Sequence, residues 1–88
     1  MKSKVIHFEG RALEVREMTI GVAIPIISGM KLGGEEAVDA QLEMLDKCTF
    51  ENGEPVKATD LPFSVFSELS DAAAQVNGFA SDEESGEA

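Results

Sequence analysis

The sequence predicts one α+β domain, mainly helical: a β-hairpin over about residues 4–16, three helices over about 20–32, 35–48 and 61–77, and a disordered acidic tail. Three observations carry that expectation. Two short apolar-alternating runs flank Glu9-Gly10. Three longer apolar-rich segments are set apart by Gly33-Gly34 and Asn52-Gly53. Residues 80–88 contain no large apolar side chain at all. A chain of 88 residues holds one small core, which makes residues 1–79 a single domain and 80–88 its tail.

In the hairpin, Val5-Ile6-His7-Phe8 and Arg11 to Arg16 are joined by a pair whose glycine suits the positive φ of a tight turn. A two-residue loop sets Phe8 opposite Arg11, His7 opposite Ala12 and Ile6 opposite Leu13. Ile6, Phe8, Leu13 and Val15 then share one face that needs a cover, while His7, Glu14 and Arg16 share the other. The first helix begins after Thr19, whose hydroxyl can accept a bond from a first-turn N–H. Pro25 lies beyond the first turn, where it removes a helical hydrogen bond and crowds the carbonyl of Gly21. A kinked or broken helix is expected there.

Gly33-Gly34 ends that helix, and Glu35-Glu36 places negative charge at the positive end of the next one. In the second helix Val38, Leu42 and Leu45 define the expected apolar stripe, with Ala37, Gln41, Met44 and Cys48 beside it. Asn52-Gly53 signals a turn, with Thr49-Phe50 and Pro55-Val56 as a very short ribbon around it. Asp60 is the expected cap of the third helix, with Pro62 in its first turn and Gly78 as its stop. Leu61, Val65, Phe66, Leu69, Ala72, Ala73 and Val76 recur at three- and four-residue spacing along it. The hairpin face is expected to pack against Phe66, Leu69 and Val76.

Seventeen acids against seven bases give a formal net charge of −10. Four of those acids lie in residues 80–88 with no base beside them, so −6 remains on residues 1–79. Such a field repels phosphate backbones and anionic lipid, and the absence of Trp and Tyr leaves few platforms for base stacking. Neither nucleic acid nor membrane is an expected partner. The longest apolar run, Val22 to Ile27, is too short to span a bilayer, and Met1 to Lys4 is not followed by a signal-peptide stretch. One cysteine, Cys48, cannot form an internal disulfide, and a reducing cytoplasmic setting is expected.

Catalytic chemistry is sparsely supplied. His7 is the single histidine and falls on the outer hairpin face. Cys48 sits at a helix C-terminus beside Lys47, without the base or helix N-terminus that would activate it, and reads as a small core residue. Glu35, Glu36, Asp39 and Glu43 make a solvated acidic face, and the tail acids lack the alternating ligands of a calcium loop. No catalytic residue, metal or cofactor is expected, which leaves binding. The segment Ile20 to Leu32 has too many apolar positions for one buried stripe. Its Ile20, Ile24, Ile27, Met30 and Leu32 are the candidate partner-binding residues, in a chain whose methionines also include Met18 and Met44.

The run Phe8-Glu9-Gly10-Arg11-Ala12-Leu13-Glu14-Val15-Arg16-Glu17-Met18-Thr19, followed by helices and an acidic end, resembles the small tail assembly chaperones of long-tailed bacteriophages. The closest local similarity is Leu13 to Thr19, a strand running into the head of a helix, supported by the Asn52-Gly53-Glu54-Pro55 turn and the Asp60-Leu61 helix start. Coverage is about residues 4–78, the motifs are short and structural, and Pro25 departs from the family pattern. The resemblance implies a non-enzymatic protein of the bacterial host cytoplasm that binds the tape measure protein, keeps it soluble and helps tail tube subunits polymerise around it. It also implies a longer frameshifted form of the same protein as a partner, and a homo-oligomer is compatible with it. The alternative reading is an acidic interaction or inhibitor module, an antitoxin or nucleic-acid mimic that occupies a basic site on its partner.

Overall fold

The structure, a computed structural model, describes residues 1–79; the expected acidic tail at 80–88 lies outside the described residues. Glu9 and Gly10 both take positive φ, 48° and 80°, the type I′ pattern whose twist matches that of the strands it joins. Around it β1 (Ser3–Phe8) and β2 (Arg11–Arg16) pair antiparallel in the expected register, with Ile6 opposite Leu13 and Phe8 opposite Arg11. The hairpin is therefore set by a local turn, and the apolar face follows from its register.

Helix α1 (Ile20–Leu32) starts at Thr19, which is extended at φ −73° and ψ 164°. Its carbonyl accepts bonds from Val22 N at 3.2 Å and Ala23 N at 2.9 Å. The hydroxyl, contrary to expectation, makes no capping bond. The expected break at Pro25 is also absent, since the helix runs on through the proline to Leu32. Pro25, Gly21 and Ile24 are all exposed, so the carbonyl that proline deprives of its partner opens toward water instead of into the core.

Only Gly33 separates α1 from α2 (Gly34–Cys48), and both Gly33 and Gly34 adopt positive φ, at 74° and 57°. That conformation is costly for any residue with a Cβ, and it lets the chain reverse within two residues. The helices then pack on each other closely: a Cβ built on Gly29 would lie 3.0 Å from the Cβ of Ala40. This approach turns Ala40, Met44, Leu45 and Cys48 inward and corrects the expected stripe. Val38 is exposed and Leu42 only half-buried.

Asn52 and Gly53 again take positive φ, and around them β3 (Thr49–Glu51) and β4 (Glu54–Pro55) form the short ribbon, Phe50 opposite Pro55 and Glu51 opposite Glu54. β3 also pairs with β2, Val15 opposite Thr49 and Glu14 opposite Phe50. The two hairpins thus fuse into one antiparallel sheet of order β1-β2-β3-β4, a union that local patterning did not reveal.

The third helix begins later than expected. Leu61 and Pro62 are extended, with ψ of 158° and 148°, because a residue before proline is pushed out of the helical region. Short 3₁₀ turns at Ala58–Asp60 and Phe63–Val65 lead instead into α3 (Phe66–Val76). Asp60 closes the first 3₁₀ turn, and the residue that precedes α3 is Val65. Gly78 does end the helix: its N–H reaches Gln75 O at 3.2 Å, and Phe79 N reaches Ala74 O at 2.7 Å, closing a Schellman motif.

α3 lies over β1 and β2 and touches α2. Ile6, Leu13 and Val15 of the sheet meet Leu69, Ala72, Ala73 and Val76 in one buried cluster, with Phe8 and Phe66 half-buried at its edge. The hairpin face has found its expected cover. Asn77 ties three elements together: its side-chain oxygen accepts from Met18 N at 2.8 Å, and its amide donates to Ala73 O at 2.9 Å and Cys48 Sγ at 3.6 Å. Asn77→Ala strands a half-buried backbone donor, and a loss of about 1–3 kcal/mol is expected in urea unfolding. A loss under about 0.5 kcal/mol would mean that Met18 N finds another acceptor.

Candidate functional site

Helix α1 leans on α2 with one side only. Val22, Ile26 and Met30, at four-residue spacing, turn toward the core, where Ile26 is buried and the other two are half-buried. The opposite side carries Ile20 at 81% exposure, Ile24 at 56% and Leu32 at 73%. A helix presents successive residues at about 100° intervals, so Ile20 and Ile24 fall on one outward row with Lys31 near them. Ile27 is half-buried on the flank.

The five candidate residues are therefore divided. Ile20 and Ile24 form an open aliphatic row one turn apart, Ile27 borders it, Leu32 is exposed about two turns further on and well round the helix beyond Ser28 and Lys31, and Met30 belongs to the α1–α2 packing side. Glu35, Glu36, Asp39 and Glu43 on α2 are all exposed, so the site is an apolar helix face on a strongly acidic body. Water around three uncovered aliphatic side chains is unfavourable, and covering them with a partner would recover free energy in proportion to the area removed from water.

Other polar groups do structural work. Arg11 donates from Nε and Nη2 to the two carboxylate oxygens of Glu51, at 3.1 and 2.8 Å, bridging β2 to the β3–β4 ribbon. That bond holds the Glu51 carboxyl below its ordinary value and raises the Arg11 guanidinium. Arg16 lies 4.1 Å from the centre of the Phe50 ring and pairs with Glu14 at 3.0 Å. Burial pushes the Cys48 thiol up, with the Asn77 hydrogen bond opposing, the opposite of an activated nucleophile. His7 is exposed opposite Ala12, as its register requires.

Among the described residues no group of three or more His, Cys, Asp and Glu is placed to hold a metal ion, and no helix is long and apolar enough to cross a membrane. Beyond α1, the exposed large apolar residues among those described are Met1, Val5, Val38, Phe63 and Phe79. Val38 is exposed although its spacing predicts the buried stripe of α2. Phe63 is 83% exposed and stacks on Phe66 with ring centres 5.4 Å apart; the proline before it, which delays α3, was the available signal. The chain matches no protein-family model, no curated protein and no solved structure.

Proposed function

We propose that the protein is a tail assembly chaperone of a long-tailed bacteriophage. It binds the tape measure protein in the host cytoplasm, keeps it soluble, and assists tail tube subunits to polymerise around it, without catalysis. A longer frameshifted form of the chain is a further partner. Two things support this reading: the resemblance of residues 8–19 to that family, and the outward aliphatic face of α1. The second is the observation that carries it. A chaperone for a long, aggregation-prone client needs apolar side chains held in water on a soluble frame, and Ile20, Ile24 and Leu32 are so placed. The acidic body adds solubility to the complex and attracts basic client segments.

The test is co-expression with a tape measure protein. Ile24→Asp, on an exposed position, is expected to leave the circular dichroism spectrum and melting temperature of the protein unchanged and to cut the soluble client roughly tenfold. A folded variant that still keeps the client soluble would overturn the assignment. Salt distinguishes the acidic-mimic reading, because binding through carboxylates collapses at high ionic strength while apolar binding persists.

A further inference from the structure

The open edge of β1 borders a second surface, independent of α1. In a two-residue hairpin the residues flanking the turn exchange backbone bonds, so Phe8, Ile6 and Lys4 face β2. The pattern continues at Lys2, whose carbonyl accepts from Glu17 N at 2.9 Å. The N–H and C=O groups of Ser3, Val5 and His7 consequently point away from the sheet. β1 is the terminal strand, and among the described residues these groups make no backbone hydrogen bond.

Beside this edge runs a groove of about 410 Å³, walled by Lys4–His7 of β1 and by Glu68, Asp71 and Gln75 of α3. Lys4 Nζ spans it to Gln75 Oε1 at 2.8 Å. Glu68 and Asp71, one helical turn apart on the opposite wall, make no ion pair among the described residues. The strand itself carries no acid and one base, Lys4, so the groove sets two carboxylates against one ammonium. An unpaired strand edge next to a helix-walled groove offers main-chain bonds for affinity and a side-chain channel for selection.

We propose that β1 binds an extended, basic peptide segment of a partner protein as a fifth strand of the sheet. The segment pairs with the outward groups of Ser3, Val5 and His7. Every second side chain enters the groove, where a lysine or arginine stem lies along the β1 wall and its head reaches Glu68 and Asp71. Acidic segments are rejected by the same carboxylates.

The probe is a blocked nine-residue peptide of alternating lysine and valine, titrated into the full chain and followed by amide resonances and their hydrogen exchange. Protection of the Ser3, Val5 and His7 amides is expected. Val5→Pro removes one outward N–H, which no ladder bond in β1–β2 uses, and should weaken binding more than tenfold at unchanged fold. Should V5P fail to fold, two N-methylated peptides carry the same test on the unaltered protein: methylation of one alternate set of amides abolishes binding and of the other set does not. Glu68→Gln with Asp71→Asn should weaken binding several-fold and flatten its salt dependence. The proposal is overturned if V5P or both methylated peptides bind like their parents. It is equally overturned if a glutamate–valine peptide binds as well as the lysine–valine one, or if sedimentation shows the edge already filled by a second copy in a dimer that V5P dissociates.

Discussion

Leu69→Ala should destabilise the protein by about 2–5 kcal/mol, the range for emptying a buried leucine site. Leu69 is 1% exposed in the middle of α3, the helix that covers β1 and β2 and touches α2. No other element covers the hairpin face so directly. Against a total stability of about 5–15 kcal/mol the loss is large, and the melting temperature of so small a domain should fall by about 10 °C or more. Circular dichroism is the suitable readout, because the chain has no Trp or Tyr. A change under about 0.5 kcal/mol would place Leu69 at the surface and undo the packing of sheet on helix.

Pro25→Ala works in the other direction. Proline in a helix interior is about 3 kcal/mol less favourable than alanine, and Pro25 sits in the middle of a continuous helix on its exposed side. The alanine variant regains the N–H that can bond the Gly21 carbonyl and loses no buried contact. A gain approaching 3 kcal/mol is expected, reduced by the greater freedom that alanine gives the unfolded chain. Urea unfolding reads it directly. An unchanged or lowered midpoint would show that Pro25 has a packing role that its exposure does not reveal.

How far the sequence could be read follows from the range of each interaction. Glu9-Gly10 and Asn52-Gly53 are settled by backbone conformations that few residues tolerate, and both turns stand where they were expected. α3 starts later than its apolar spacing predicts because Pro62 restricts Leu61 and keeps the chain extended there. Val38 faces outward, against its helical spacing, because the inward side of α2 is chosen by α1, through the close meeting of Gly29 and Ala40, a tertiary fact absent from helical periodicity. The candidate site was legible as a segment with too much apolar surface. Its membership was not, since burial separates Ile24 from Met30 only once a partner helix decides which side of α1 is in. The β1 groove was invisible for a similar reason: Glu68 and Asp71 become neighbours of His7 only after α3 lies over the sheet.

The pairing of β2 with β3 is the non-local step in building the sheet. The β1–β2 hairpin, the α1–α2 pair and the β3–β4 ribbon each join neighbouring stretches of chain, and contacts of that kind form within microseconds. The bridge from Val15 to Thr49 must instead draw together two strands separated by the whole of residues 17–48, an entropic cost that is recovered only when the sheet is complete. Helices α1 and α2 double back at Gly33-Gly34 and so return the start of β3 to the end of β2. Stiffening the glycine pair in another conformation is therefore expected to slow refolding, as stopped-flow circular dichroism would read, even where the finished core is unchanged.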